Sequence, residues 1–162
     1  EGTYTVGLQV VDATGASSVN SSTATVTVSN VAPSVVASGP ATGDEGANLS
    51  YTATVSDPSA VDSAALTVAW GFSVSGGAAS VATGTGTSFS FTPNDDGLYL
   101  VTATVTDPAG ASNSSVVQTT VSNVTPTLAI SGPTTGDEGA SLSWSLTVAD
   151  QGPVDNANLT TL

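Results

Sequence analysis

The chain has 162 residues with thirteen Asp and Glu and no Lys, Arg or His, giving a formal net charge of −13 at pH 7. These numbers argue against nucleic-acid binding, because no cation is present to neutralise phosphate, and against attraction to an anionic membrane. The absence of Cys excludes disulfides and thiolate metal sites. No stretch of the sequence approaches the roughly 20 apolar residues of a membrane span.

An internal repeat indicates the domain organisation. Ser38–Ala47 recurs as Ser131–Ala140, 93 positions later, and Tyr4–Asp12 recurs as Tyr99–Asp107, 95 positions later. Repeats at such a period are typical of modules arranged in tandem. We therefore expect the end of a first module, with strands F and G, in residues 1–30, a complete module in 31–123, and the start of a third, with strands A and B, in 124–162. We expect the partial modules to be completed by a longer parent chain or by a neighbouring molecule.

Apolar residues alternate with Ser and Thr over short segments, which is the pattern of half-buried β-strands. In the complete module the predicted strands are A at Ser34–Ser38, B at Leu49–Ser56, C at Leu66–Val74, one near Ser80–Thr83, E at Ser88–Phe91, F at Leu98–Thr106 and G at Ser115–Ser122. No segment has the 3.6-residue period, so helix is disfavoured throughout. Seven short strands in one repeat predict an all-β fold, an antiparallel two-sheet sandwich of the immunoglobulin-like type.

Two motifs in the strands resemble those of a known family. The pattern Gly-x-Tyr-x-Val-x-x-x-Val-x-Asp occurs at Gly97–Asp107 and again at Gly2–Asp12, and Trp70-Gly71-Phe72 lies on strand C. These residues resemble the PKD (polycystic kidney disease) domain family, an immunoglobulin-like module of bacterial and archaeal surface proteins. Ser73-Val74-Ser75 replaces the Gly-Asp-Gly that follows in the family's motif. The resemblance implies an extracellular or cell-surface location and a role as spacer, adhesion element or accessory domain of an enzyme.

Few residues are suited to catalysis, because the usual bases, nucleophiles and oxyanion-stabilising cations are absent. Asp95-Asp96 and Asp44-Glu45 are the only adjacent carboxylates that could serve glycoside hydrolysis, and turn neighbours usually point apart into water. Trp70 and Trp144 fall on inward faces, where core packing is expected rather than sugar stacking. We therefore predict no catalytic site and no organic cofactor.

The carboxylates fall in predicted turns, which an immunoglobulin-like sandwich gathers at its two poles. One predicted set lies where the complete module meets the next one and comprises Asp44, Glu45, Asp95, Asp96, Asp150 and Asp155. A second set, facing the preceding module, comprises Asp57, Asp62 and Asp107. Acidic poles that meet without a cation repel each other, and carboxylate oxygens suit Ca²⁺. We therefore hypothesise that Ca²⁺ binds these carboxylates at the junctions between modules. The alternative is that the carboxylates belong to ordinary acidic turns, which favour solubility and whose charges are screened by salt.

Taken together, these features predict a non-enzymatic extracellular structural repeat protein that forms a stalk, filament or surface-layer component. The expected partners are neighbouring copies of the same or similar modules, joined through short linkers that Pro33 and Pro126 stiffen. One alternative is an adhesin or carbohydrate-binding module acting through loop tips such as Gly76–Gly86. Another is an accessory region of a large secreted hydrolase. Glycans are further candidate partners, at the sequons of Asn20, Asn48, Asn113, Asn123 and Asn158.

Overall fold

The computed structural model describes residues 1–18, 22–75 and 81–160, with the backbone alone at 81–83. Its strands are β1 (Gly2–Leu8), β2 (Ser22–Val28), β3 (Ser34–Ser38), β4 (Thr42–Asp44), β5 (Leu49–Ser56), β6 (Thr67–Val74), β7 (Val81–Thr85), β8 (Ser88–Phe91), β9 (Gly97–Thr106), β10 (Ser112–Ser122), β11 (Thr127–Ser131) and β12 (Ser145–Ala149). Two short helices are α1 (Ala60–Ser63) and α2 (Pro153–Ala157). Neither helix is long enough to cross a membrane, and no other helix in the described ranges could do so.

Strands β3 to β10 form two facing sheets. One sheet has the order β4-β10-β9-β6-β7 and the other has the order β3-β5-β8. All pairs within them are antiparallel except the short parallel pair of β4 with β10. This all-β, immunoglobulin-like sandwich confirms the predicted fold class.

The core lies between these two sheets and is built from alternate residues of each strand. In β9 the side chains of Tyr99, Val101 and Val105 are buried. The Trp70 ring from β6 stacks on Phe89 from β8, with ring centroids 5.6 Å apart. Such aromatic pairs supply much of the apolar area that a small domain buries.

A buried hydroxyl chain links the two sheets. The Thr119 hydroxyl donates to the carbonyl oxygen of Pro40 at 2.7 Å and lies 2.8 Å from the Tyr51 hydroxyl. A threonine hydroxyl has one proton to donate, so the Tyr51 hydroxyl is the donor to Thr119. This chain satisfies polar groups that would otherwise be costly in the core.

Glycines of the repeated motif make room for the largest neighbouring side chains. A Cβ atom at Gly39 would overlap the Tyr51 ring, and one at Gly132 would overlap the Trp144 ring. Gly43 and Gly136 lie in the same way against Leu49 and Leu142. The spacing of the repeated Ser-Gly-Pro…Gly-Asp segment therefore follows from packing as well as from turn formation.

Residues on either side of this sandwich form two separate hairpin-like ribbons. Strands β1 and β2 pair from Gly2↔Val28 onward. Residues at equivalent positions of the repeat are paired in the same way in β9 and β10. Strands β11 and β12 pair from Thr127↔Ala149 onward. Residues at equivalent positions of the repeat are paired in the same way in β3 and β5. The repeated sequences thus adopt repeated backbone pairings.

Trp144 does not lie in a core, contrary to the expectation from sequence. The side chain is 54% exposed, because the β11–β12 ribbon has no facing sheet among the described residues. Trp70, by contrast, is 1% exposed, as predicted.

The expectation that helix is disfavoured throughout was wrong for two single turns. The Ser59 hydroxyl accepts from the backbone N–H of Asp62 and caps α1, while Pro153 occupies the first turn of α2. Such short turns are favoured by a capping side chain or by proline in the first turn, and they cannot show a 3.6-residue period. Asp62 and Asp155 therefore lie in helical turns rather than in simple loops.

Candidate functional site at the domain junction

The junction is the region where the turns after β4 and β8 meet residues 123–160. Glu45 lies at its centre, directly after β4, and its backbone N–H donates to the carbonyl oxygen of Ser122 at 3.1 Å. The Glu45 side chain is fully buried, and Oε1 accepts a hydrogen bond of 2.6 Å from the backbone N–H of Val124. The side chain thereby fixes Val124, two residues after the last strand of the sandwich.

Close backbone contacts continue across the junction. The Val154 N–H donates to the carbonyl oxygen of Asn94 at 3.3 Å. Gly46 has a φ of 72°, and a Cβ placed there would lie 2.5 Å from the carbonyl oxygen of Gln151. A side chain at this position is therefore excluded both by the left-handed backbone and by the neighbouring chain.

Gly152 provides a second close contact across the junction, with Glu45. A Cβ at Gly152 would overlap the Glu45 carboxylate. The corresponding residue one repeat earlier is Ser59, which uses its hydroxyl to cap α1. Glycine at 152 gives up such a cap and leaves space for the glutamate.

Three carboxylates converge at the junction. Glu45, Asp95 and Asp155 each place a carboxylate oxygen within 4.8 Å of the others. Glu45 Oε2 is buried and has no hydrogen-bond partner. An unpartnered carboxylate oxygen in a buried position is costly, and it marks this cluster as the candidate site.

The electrostatics of Asp155 reflect this crowding. Burial raises the pKa of its carboxyl above the ordinary value, and the negative charges of Asp95, Asp150 and Asp96 raise the pKa further. Burial also raises the pKa of the neighbouring Tyr99 phenol, with smaller contributions from the charges of Asp95, Asp96 and Glu45. The site therefore has an excess of negative charge that its own residues do not neutralise.

The turn geometry explains how these acids come together. The Tyr99 hydroxyl donates to the carbonyl oxygen of Asp95 at 2.9 Å, which ties the turn before β9 to that strand. This is the arrangement known as a tyrosine corner in immunoglobulin-like folds. On the other segment, Asp150 Oδ1 accepts from the Gly152 N–H at 2.8 Å and shapes the turn that presents Asp155.

A comparison with known protein families matches residues 30–121 to the PKD domain. The chain belongs to the PKD domain family. A search of curated proteins found no significant match. PKD domains are non-catalytic, immunoglobulin-like modules that occur in extracellular or surface proteins. The matched range contains two of the three clustered acids, Glu45 and Asp95, while Asp155 lies beyond it.

The other acids predicted at this end of the PKD domain lie outside the three-residue cluster. Asp44 and Asp96 are exposed, and Asp150 is half-buried with one oxygen held by Gly152. The sequence analysis assigned each of them to this end of the domain from the order of the strands. It did not reveal the roles of Val124 and Gly152, although the change from Ser59 to Gly152 between repeats is a signal.

The opposite pole of the PKD domain carries the second predicted set. The Asn30 side-chain amide donates to Asp107 Oδ2 at 2.7 Å, and this hydrogen bond is the main reason that the pKa of Asp107 lies below its ordinary value. Asp57 and Asp62 line a cavity of about 230 Å³ together with Glu1. Asp57 Oδ2 is buried without a partner. Asp107 therefore accepts a hydrogen bond from the preceding linker.

The residues considered for sugar binding are placed differently. The buried Trp70 ring donates from Nε1 to the carbonyl oxygen of Gly86 at 2.8 Å, as a core residue does. Of the Gly76–Gly86 loop, residues 76–80 lie outside the described residues. Asn20 also lies outside them, whereas the other four sequon residues, Asn48, Asn113, Asn123 and Asn158, are exposed.

Proposed function

We propose that this chain is a structural segment of an extracellular protein, in which the PKD domain is held at a fixed distance and orientation relative to similar modules on both sides. Residues 1–30 and 124–162 are then the end and the start of those neighbouring modules. The matching registers of β1–β2 with β9–β10, and of β11–β12 with β3–β5, support this division. Successive modules of this kind would build a stalk, filament or surface layer.

The buried contact between Glu45 and Val124 is the observation that carries the proposal. A flexible tether between independent domains needs neither a buried side chain nor close backbone contacts. In this chain the Val124 N–H of the linker donates to Glu45. Gly46 also lies against Gln151, and the Val154 N–H donates to Asn94. Pro126 restricts the linker further because its φ is fixed.

Distances between spin labels on the two sides of the junction test the proposal. The chain has no Cys, so two introduced cysteines are the only labelling sites. The exposed positions Thr54 and Ala129 serve as the pair across the junction, as Thr54→Cys with Ala129→Cys. Thr54→Cys with Ser114→Cys, both exposed within the PKD domain, is the reference for a rigid body.

A spacer with fixed orientation predicts a single distance distribution across the junction, about as narrow as that of the reference pair. A broad or multimodal distribution across the junction, with a narrow one within the domain, would refute the fixed orientation. The measurement is made on the whole chain and reports geometry alone.

A further inference from the structure

We propose that Glu45, Asp95 and Asp155 bind a calcium ion that bridges the PKD domain and the segment that follows it. The three residues come from three places in the chain: the turn after β4, the turn after β8, and α2. Their carboxylate oxygens lie within 4.8 Å of one another, close enough to share one ion. Ion binding at this site is independent of whether the chain serves as a spacer.

The buried oxygen of Glu45 is the observation that points to a ligand. Exposed acidic turns are solvated and need no partner. Glu45 is 0% exposed, its Oε1 is taken by Val124, and its Oε2 has no hydrogen-bond partner. A buried carboxylate oxygen requires a proton, a hydrogen bond or a cation, and a cation also relieves the repulsion from Asp95 and Asp155.

The sequence contains no side-chain cation that could take this role. With no Lys, Arg or His in the chain, only an external cation can balance the cluster. Three carboxylates carry a formal charge of −3, and the further acids Asp96 and Asp150 lie near enough to raise the pKa of Asp155. Repulsion between such groups is strong where water is partly excluded.

The donor set favours calcium over other divalent ions. Zinc sites in proteins are built mainly from Cys and His, which the chain lacks, with carboxylates as additional ligands. Magnesium requires a near-ideal octahedron and sheds its water reluctantly, whereas calcium accepts irregular sets of six to eight oxygens. Oxygens contributed by separate turns and completed by water suit calcium.

Terbium luminescence provides the direct test, because Tb³⁺ occupies calcium sites and is sensitised by a nearby tyrosine. Tyr99 donates to the backbone of Asp95 and thus lies beside the proposed ion. Tb³⁺ added to the calcium-free chain should give sensitised emission that Ca²⁺ displaces. Glu45→Gln and Asp155→Asn should each weaken Ca²⁺ binding by about tenfold or more, since the charge of the ligands sets the affinity.

The matched control is Glu138→Gln. Glu138 occupies the position of Glu45 in the repeated motif, 93 residues later, but is exposed and lies outside the cluster. It should leave Ca²⁺ affinity unchanged. Near-ultraviolet circular dichroism in chelator establishes that each variant is folded, and both Glu45→Gln and Asp155→Asn preserve the side-chain shape.

The melting temperature of the unmodified chain gives a second readout. Ca²⁺ should raise it, and Mg²⁺ at the same concentration should raise it less. Equal effects of the two ions would overturn the assignment to calcium. Absence of Ca²⁺ binding, or equal weakening by Glu138→Gln, would overturn the site itself.

Discussion

The Glu45 carboxylate accepts a hydrogen bond of 2.6 Å from the Val124 backbone N–H, and this single contact joins the turn after β4 to the linker that leaves β10. Glu45 is fully buried, so the hydrogen bond is shielded from water. Charge-assisted hydrogen bonds of this kind are shorter and stronger than neutral ones. The contact therefore restrains the linker at Val124, two residues after the end of β10.

Glu45→Ala should lower the free energy of unfolding by about 1–3 kcal/mol, because it leaves the Val124 N–H without its acceptor and opens a cavity. Glu138→Ala, at the exposed equivalent position, should stay within about 0.5 kcal/mol. Chemical denaturation of both variants measures the difference. Equal losses in the two variants would show that Glu45 makes no special contact.

Gly152→Ala should destabilise the junction by about 1–3 kcal/mol, since the added methyl group overlaps the Glu45 carboxylate. It should also broaden the distance distribution between labels at positions 54 and 129. Gly7→Ala is the control, because the nearest atom to its added Cβ is 3.9 Å away. A tolerated Gly152→Ala would contradict the close packing of this turn on Glu45.

Substitutions in the buried hydroxyl chain of the core should lower the free energy of unfolding by different amounts. Tyr51→Phe removes one donor and should cost about 1 kcal/mol of unfolding free energy. Thr119→Val should cost more, about 2 kcal/mol, because it leaves both the Pro40 carbonyl and the Tyr51 hydroxyl unpartnered. Denaturation with unchanged m-values checks the order of the two variants. A larger loss for Tyr51→Phe than for Thr119→Val would contradict the central position of the Thr119 hydroxyl in this chain.

Seven of the eight strands of the sandwich could be predicted from sequence because alternation is a local pattern, whereas the three-residue β4 falls in a segment predicted as a turn. Strands β3, β5 and β8 coincide with the segments in which apolar and hydroxyl residues alternate. The helical turns α1 and α2 could not be predicted, since single turns of four and five residues are too short to show a period. The exposure of Trp144 was missed because burial depends on a facing sheet, which alternation cannot supply.

The candidate site was partly predictable for a related reason. Strand order places turns at poles, so it indicated which acids share an end of the domain. It could not separate the clustered Glu45 from its neighbour Asp44, which the structure leaves exposed. That distinction depends on how the linker and the turn around Gly152 pack, which is tertiary information.

Acid should affect the junction through Asp155, whose pKa is raised by burial and by the acids that face it. Those acids are Glu45 after β4, Asp95 and Asp96 after β8, and Asp150 on its own segment. A raised folded-state pKa means that the protonated form is favoured by folding, so this stability is fully present below the unfolded pKa. It is lost as the pH rises through the folded pKa.

In chelator, the junction should therefore become more stable as the pH is lowered from neutral through the raised pKa of Asp155. Asp155→Asn should remove this dependence and be more stable than the unmodified chain at neutral pH. Melting temperatures measured against pH provide the comparison. A stability that falls over this pH range in chelator, with the same slope in Asp155→Asn, would contradict the crowding of these acids.

At the opposite pole of the domain, lowering the pH should decrease stability rather than increase it. Asn30 holds the pKa of Asp107 below its ordinary value, so its contribution to stability is present above the unfolded pKa of about 3.9 and is lost as the pH falls through the folded pKa. Asn30→Ala should raise the pKa of Asp107. The pKa of Asp12, which is lowered chiefly by the Thr14 hydroxyl in the equivalent turn, should not change. Carboxyl NMR titration resolves both groups.

Hydrogen exchange at the Val124 amide tests the fixed junction most directly. If Glu45 holds this N–H, the Val124 amide should exchange far more slowly than a free peptide and should lose that protection in Glu45→Ala. Protection of the β9 amides should persist in the variant, showing that the sandwich remains folded. A Val124 amide that exchanges at the rate of an unstructured chain in the unmodified protein would contradict the fixed junction.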